Sequence, residues 1–209
     1  MSFSGYKSIS AVAKEFQIRY SYATFIAENY FPVPELFKED LNLLFNEGVV
    51  SNSEAAICEN LIYPVLKEVW KKYYSKLTLW SHESLYYNEQ LSGIPDYILA
   101  KRSPLGSIIF DSPYFLVIEA KQDNFTEGWG QCLAEMIAIQ KINNYSQQLV
   151  FGAVSNGRLW QFGKLKEAVF TLNYQSYLIE DLDPLFAAVN YIFKKCELQV
   201  DELAQTTTQ

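Results

Sequence analysis

The chain has 209 residues, of which 49% are hydrophobic and 20% are charged. This length and composition are typical of one globular domain with a sizeable core, not of a disordered chain. The formal net charge of −7 argues against general nucleic-acid binding, because phosphate contacts need Lys and Arg. Three scattered cysteines and one histidine argue against a disulfide framework and against a multi-histidine metal site.

Neither a membrane span nor a secretory signal is visible. The chain has no run of about 18 apolar residues, so we expect no spanning helix. The N-terminus lacks a basic region followed by an apolar stretch. With cysteines that form no framework, these features predict a cytoplasmic protein.

The first 50 residues predict two helices and an extended piece. Residues 8–18 have a helical pattern, and residues 18–27 favour an extended conformation. Pro34 fits the first turn of a second helix that ends near Glu47. We expect residues 1–50 to be an addition to the core that packs on a neighbouring element or on a partner chain.

Glu54 opens the next predicted helix and has two interpretations. Ser51 and Glu54 form a capping-box pattern, in which the carboxylate only caps the helix. Glu54 also shares a helix face with Cys58 and Leu61, so that it could point inward with the apolar residues. Both interpretations remain open at the level of sequence.

Strands are predicted next over residues 77–80, near residues 85–87, and over residues 94–100 and 114–120. The last is a nearly continuous apolar run, which suits a strand buried on both faces. Residues 102–113 contain Pro and Gly and predict a loop with an apolar flap. His82, between the first two strands, is expected to be an ordinary polar surface residue.

Charged residues at the end of the buried run predict a metal site. Burying a lone charge is costly, yet the run ends in Glu119 and Lys121, which alternation places on one face. If the strands over 94–100 and 114–120 pair as a hairpin, Asp96 lies beside Glu119. Carboxylate oxygens are the ligands of Mg²⁺. A bound metal can polarise a phosphoryl oxygen and lower the pKa of bound water.

The rest of the chain predicts a helix with Gln131 and Glu135 on one face, a hairpin, an edge strand and a last helix. The elements are a helix over residues 126–143 capped by Thr126, strands over 149–154 and 158–163 joined by Asn156-Gly157, an edge strand over 169–172, and a helix from Asp183. Five basic residues are expected to form a rim around the site: Lys101, Arg102, Arg158, Lys164 and Lys166.

Pro95-Asp96 followed by Glu119-Ala120-Lys121 resembles the signature of the PD-(D/E)XK nuclease superfamily. The helix that begins near Glu54 and the hairpin over residues 154–162 are similar to parts of the nuclease-type domain at the start of type I restriction enzyme R subunits. The four pieces cover roughly residues 51–165. Either short motif alone is a weak signal, whereas all four in this order are fairly specific.

This resemblance implies a restriction-endonuclease-like α/β fold, with a central mixed sheet flanked by helices, and a metal-dependent nuclease that acts on DNA. It implies Mg²⁺, or Mn²⁺, held by Asp96, Glu119 and the backbone carbonyl of Ala120. Lys121 would position the attacking water or stabilise the transition state.

The resemblance also implies roles for three further side chains. Glu54 would support a second metal or a water, and Gln131 would orient Lys121 or the substrate, unless Gln131 is merely a solvated helix residue. Glu135 stands where relatives often carry an aromatic residue, so its role is open.

We expect a single domain over residues 1–209. Within it, residues 51–165 would form the nuclease-like core, residues 166–200 a C-terminal strand and helix, and residues 201–209 a frayed tail. A non-catalytic binding or accessory protein on the same fold is the alternative, because fold does not determine function. The intact Asp-Glu-Lys set favours an enzyme, with DNA as partner and a homodimer or a protein partner as further expectations.

Overall fold

Helices and strands are interspersed along residues 2–206, the part of the chain that this computed structural model describes. In this part, six α-helices are α1 (Ile9–Phe16), α2 (Glu35–Glu47), α3 (Glu54–Ile57), α4 (Tyr63–Trp70), α5 (Phe125–Ile142) and α6 (Leu182–Thr206), and a short 3-10 helix spans Phe3–Gly5. A π-helical segment, Cys58–Ile62, joins α3 to α4. Across residues 2–206, none of the helices has the length and apolar content needed to cross a bilayer.

Ten strands occur within the same described range. They are β1 (Arg19–Ala23), β2 (Leu77–Ser81), β3 (Leu85–Tyr86), β4 (Ser92–Gly93), β5 (Tyr97–Lys101), β6 (Tyr114–Ala120), β7 (Val150–Ser155), β8 (Leu159–Lys166), β9 (Val169–Asn173) and β10 (Tyr177–Leu178). The central sheet has the order β1-β9-β8-β7-β6-β5-β2, and β10 also pairs with β8. The pairs β6–β7 and β1–β9 are parallel and the other pairs are antiparallel, so the sheet is mixed.

Apolar side chains cover both faces of this sheet, which is what a layer of helices on each face requires. On one face, Leu66 of α4 and Phe186 of α6 belong to a core that includes Leu116 of β6. On the other face, Leu133 of α5 belongs to a core that includes Val117 of β6. All residues of β6 are buried. The chain is therefore an α/β protein with a central mixed sheet flanked by helices, as the sequence predicts.

The first 50 residues take part in the central sheet. β1 pairs in parallel with β9, from Arg19 opposite Val169 to Ala23 opposite Asn173. The Asn173 side chain also accepts a hydrogen bond from the backbone N–H of Phe25 at 3.0 Å. β9 is therefore an inner strand and β1 is the edge, whereas the sequence predicted that β9 would be the edge strand.

The N-terminal segment also crosses α5 at very short distance. A Cβ atom added at Gly130 would lie 2.6 Å from the carbonyl oxygen of Tyr6 and 2.5 Å from the backbone nitrogen of Ser8. Glycine is a poor helix former. It is needed here because any side chain would push the N-terminal segment away from the helix.

Two helix caps and the C-terminus differ from the predictions. Ser53, not Ser51, caps α3 by accepting a hydrogen bond from a backbone N–H three residues later. Asn124, not Thr126, caps α5 in the same way. α6 continues to Thr206, so residues 201–206, which the sequence predicted to be a frayed tail, are helical. The last part of the expected tail, residues 207–209, lies outside the described residues.

Trp160→Ala should destabilise the fold by about 3–5 kcal/mol, because it leaves a large cavity in the core. The Trp160 side chain is fully buried, and its indole N–H donates to the carbonyl of Gly157 at 3.1 Å. Urea unfolding would measure the loss. Leu178→Ala on the neighbouring strand β10 is the control: Leu178 is half exposed, so its loss should stay within about 0.5 kcal/mol. Equal effects of the two substitutions would contradict the prediction.

Candidate functional site

Asp96 lies immediately before β5, beside the end of β6. In this antiparallel pair Tyr97 is opposite Ile118, so Asp96 comes opposite Glu119. Asp96 Oδ2 accepts a hydrogen bond from the backbone N–H of Ala120 at 2.7 Å. The β5–β6 pairing thus places Asp96 beside Glu119 at the end of β6, as expected if the two predicted strands form a hairpin.

Lys121 follows β6 and lies on the same face as Glu119. Its backbone N–H donates to the carbonyl of Ser155 at 2.9 Å, which extends the β6–β7 pairing by one residue. Its Nζ donates to Glu119 Oε1 at 2.9 Å and lies 3.8 Å from Glu54 Oε1. One ammonium group therefore joins a carboxylate from a strand with a carboxylate from a helix.

Glu54 approaches this group from the first turn of α3. Its side chain is 51% exposed, whereas that of Lys121 is only 13% exposed. Ser53 makes the helix cap, so Glu54 is not the capping residue. Neither interpretation of Glu54 holds in full: its carboxylate lies 3.8 Å from Lys121 Nζ, but the side chain is exposed and does not point inward with Cys58 and Leu61.

Gln131 and Glu135 are buried on α5, with exposed fractions of 7% and 2%. Gln131 is therefore not a solvated helix residue, but the hydrogen bonds of Lys121 within residues 2–206 do not include it. Glu135 lies near Glu119, whose charge helps to raise the pKa of Glu135. Gln131 Oε1 and Glu135 Oε2 have no partner among the described residues. Buried polar atoms without partners are rare and point to a water, an ion or a ligand.

Burial raises the pKa values of three carboxyl groups here. For Asp96, burial outweighs the hydrogen bond from Ala120 and the charges of its basic neighbours. For Glu119, burial and then the charge of Asp96 raise the pKa to about 7. The pKa of Glu135 is raised well above its usual range, first by burial and then by Glu119 and Asp96. The carboxyls crowd one another, and a cation would relieve that repulsion.

Lys121 remains protonated in this surrounding. Burial lowers the pKa of the Lys121 ammonium, but the carboxylates of Glu119, Glu54 and Asp96 together outweigh burial. The resulting pKa lies above the ordinary value for lysine. Lys121 can therefore donate hydrogen bonds at neutral pH but cannot accept a proton.

His82 and Cys58 also belong to the site, although the sequence analysis did not place them there. Ser81 is opposite Tyr97 in the β2–β5 pair, so His82 comes opposite Asp96. His82 Nε2 lies 3.4 Å from Asp96 Oδ1, and one potential ligand atom from each of Cys58, His82 and Asp96 lies within 4.8 Å of the others. His82 could have been placed there only from the pairing of β2 with β5, which β3 and β4 separate in the chain.

The expected basic rim does not form. Lys101 lies at the end of β5 that is remote from Asp96, and Arg102 directly follows it. Lys164 and Lys166 lie toward the end of β8 that is remote from Ser155. Only Arg158, in the turn after β7, is near this end of the sheet, and it pairs with Glu180 at 2.8 Å.

Comparison with known proteins identifies no relative of this chain. No protein-family model matches the chain, and no curated protein matches it. The geometry of the site is therefore the basis for a functional proposal.

The residues at the end of β6 offer suitable ligands for a hard divalent cation. Asp96 and Glu119 supply carboxylates from neighbouring strands, and the backbone carbonyl of Ala120 lies between Glu119 and Lys121 in the chain. Oxygen ligands of this kind suit Mg²⁺ and Mn²⁺. Mutual repulsion of the buried carboxyls and the unpartnered oxygens of Gln131 and Glu135 agree with such a group.

Glu119→Gln should flatten the pH dependence of stability. The Glu119 pKa rises from 4.5 to about 7 on folding, so the folded chain binds this proton more tightly. The stability from this group is complete below pH 4.5 and is lost as pH rises through 7. The shift is equivalent to at most about 3 kcal/mol. Urea unfolding between about pH 5 and pH 8 with a chelator present would show a smaller decline for the variant.

The control for this experiment is Glu59→Gln, which changes an exposed carboxylate on the neighbouring helical segment. It should retain the decline of the wild type. Parallel stability curves for the wild type and Glu119→Gln would show that Glu119 does not take up a proton on folding.

Proposed function

We propose that the chain is a metal-dependent nuclease that hydrolyses phosphodiester bonds in DNA and that its sheet is a variant of the restriction-endonuclease-like fold. The observation that carries the proposal is the contact of the Lys121 ammonium with Glu119, with Glu54 near it and Asp96 opposite Glu119. This is the set of side chains that the PD-(D/E)XK resemblance implies. The mixed sheet flanked by helices is compatible with that fold.

Asp96, Glu119 and the carbonyl of Ala120 would hold Mg²⁺ or Mn²⁺. A bound cation of this kind supplies polarisation of a phosphoryl oxygen and a bound water of lowered pKa. Asp96 is oriented for such a role by the hydrogen bond from the N–H of Ala120. Glu119 is oriented by Lys121, so both carboxylates are positioned before a ligand arrives.

Lys121 would stabilise negative charge on the phosphate and orient the attacking water by donating hydrogen bonds. Because its pKa is raised, it is not the group that removes the proton from that water. A fixed positive charge in a partly buried site is effective, since no solvent has to reorganise during the reaction.

Glu54 and the two buried side chains of α5 would support this arrangement. Glu54 is more exposed than Glu119 and lies near Lys121, so it would hold a second metal or a water at the solvent side. Gln131 would contact water or substrate and not Lys121 itself, because its buried Oε1 has no partner in the described part of the chain. Glu135, which lies near Glu119, would support that carboxyl.

The position of the basic residues favours the alternative, a binding or accessory protein. Lys101, Lys164 and Lys166 lie away from the site, and the net charge of the chain is −7. A DNA phosphate backbone needs cationic contacts. A second copy of the chain, which would also allow both strands to be cut, or an unidentified protein partner would have to supply those contacts.

Cleavage assays should separate the two functions. The chain would be incubated with Mg²⁺ or Mn²⁺ and with supercoiled, linear, branched and single-stranded DNA as well as RNA. We expect cleavage of DNA by the wild type and a loss of about 100-fold or more in Asp96→Asn and in Lys121→Met. Lys121→Met removes the charge while keeping the length of the side chain, so circular dichroism should show an intact fold.

Lys71→Ala is the control, because Lys71 is an exposed lysine that pairs with Glu68 on the same helical stretch. It should cleave like the wild type. Activity that survives in Lys121→Met would refute the assigned chemistry. Absence of cleavage on every substrate would refute the nuclease proposal for the isolated chain and favour the accessory role.

A further inference from the structure

Cys58, His82 and Asp96 form a cluster of unlike metal ligands next to the carboxyl groups of the proposed nuclease site. One ligand atom of each residue lies within 4.8 Å of the other two. Cys58 and His82 also line a cleft of about 400 Å³, which gives the cluster access to solvent. A thiol and an imidazole are softer ligands than the oxygens that Mg²⁺ prefers, and together with a carboxylate they suit zinc.

His82 is oriented as a metal ligand would be. Its Nδ1 lies 2.8 Å from the hydroxyl of Ser81, while its Nε2 points to Asp96 Oδ1 at 3.4 Å. Histidines that bind metals usually use their second ring nitrogen for a hydrogen bond of this kind, which fixes the tautomer and the ring. His82 also has a φ of 54°, a left-handed conformation that is uncommon outside glycine. Its backbone N–H donates to the carbonyl of Asp96 at 2.9 Å, which holds it there.

Cys58 occupies a special backbone position. It is buried and begins the π-helical segment between α3 and α4. Its carbonyl accepts a hydrogen bond from the hydroxyl of Tyr97 at 3.1 Å. π-Helical segments are rare and are frequent at functional sites, because they change the direction of a side chain on an otherwise regular helix.

We propose that Cys58, His82 and Asp96 bind one zinc ion, with Asp96 shared between this site and the oxygen ligands around Glu119. The thiol would release its proton to solvent as the sulfur–zinc bond forms. Three protein ligands leave a fourth position open to water or to a substrate oxygen. The proposal does not depend on nuclease activity, because it concerns binding of the ion alone.

The distances allow this site with little movement. Ligand atoms around a tetrahedral zinc lie roughly 3.3–3.8 Å apart. The separation of His82 Nε2 and Asp96 Oδ1 already has that value, at 3.4 Å. The other pairs of ligand atoms in the cluster are at most 4.8 Å apart, so these atoms would approach one another by about 1 Å when zinc binds. Rotation of His82, whose side chain is 55% exposed, would contribute to this closure.

Co²⁺ is the probe for the test, since it replaces zinc and its bond to a thiolate has a charge-transfer absorption. The full chain would be freed of metal with a chelator and titrated with Co²⁺ without nucleic acid. We expect the thiolate absorption with one Co²⁺ per chain and its loss when Zn²⁺ is added. An excess of Mg²⁺ should leave the absorption in place.

Three variants make the assignment specific. Cys58→Ala should lose the thiolate absorption, whereas Cys196→Ala, which removes another buried thiol, should keep it. His82→Gln changes an exposed side chain, so the fold should remain, and Co²⁺ affinity should fall at least tenfold, about the size of effect expected for loss of a ligand or its support. No thiolate absorption in the wild type, or its survival in Cys58→Ala, would overturn the proposal. Unchanged affinity in His82→Gln would do so as well.

Discussion

The buried carboxyl groups around the end of β6 impose the main constraint on this structure. Glu119, Glu135 and Asp96 are brought together by a strand, a helix and the start of a neighbouring strand, and burial raises the pKa of each. The ammonium of Lys121 contacts this group directly. Like charges removed from water are costly unless protons or cations compensate them. Stability alone does not explain such an arrangement within an otherwise apolar core, whereas a bound cation would offset its cost.

Most of the helices and strands could be predicted from the sequence, because the patterns that indicate them are local. The apolar run that ends in Glu119, the Asn156-Gly157 turn and the helix that carries Gln131 each depend on residues close together in the chain. The parallel pairing of β1 with β9 could not be predicted in this way. Arg19 and Val169 are distant in sequence, and neither strand has a pattern that identifies its neighbour. Tertiary packing, and not a local sequence pattern, therefore determines that β1 is the edge strand of the sheet.

The same distinction between local sequence signals and tertiary packing applies to the site. Asp96, Glu119 and Lys121 could be grouped from strand alternation and one hairpin. The proximity of Glu135 to Glu119 depends on how α5 packs on the sheet, which periodicity does not describe. Cys58 approaches Asp96 through a π-helical segment, and that departure from regular helix geometry has no clear signature in the sequence.

The crossing of the N-terminal segment over Gly130 has a consequence for how the chain can be shortened. The segment around Tyr6 and Ser8 lies directly against the helix that holds Gln131, one residue further along. β1 meanwhile occupies the hydrogen-bonding edge of β9. A fragment limited to residues 51–165 would therefore keep every motif of the resemblance while losing the outer strands and one support of α5. The residues of the resemblance thus occupy a shorter part of the chain than the strands and segments that pack around them.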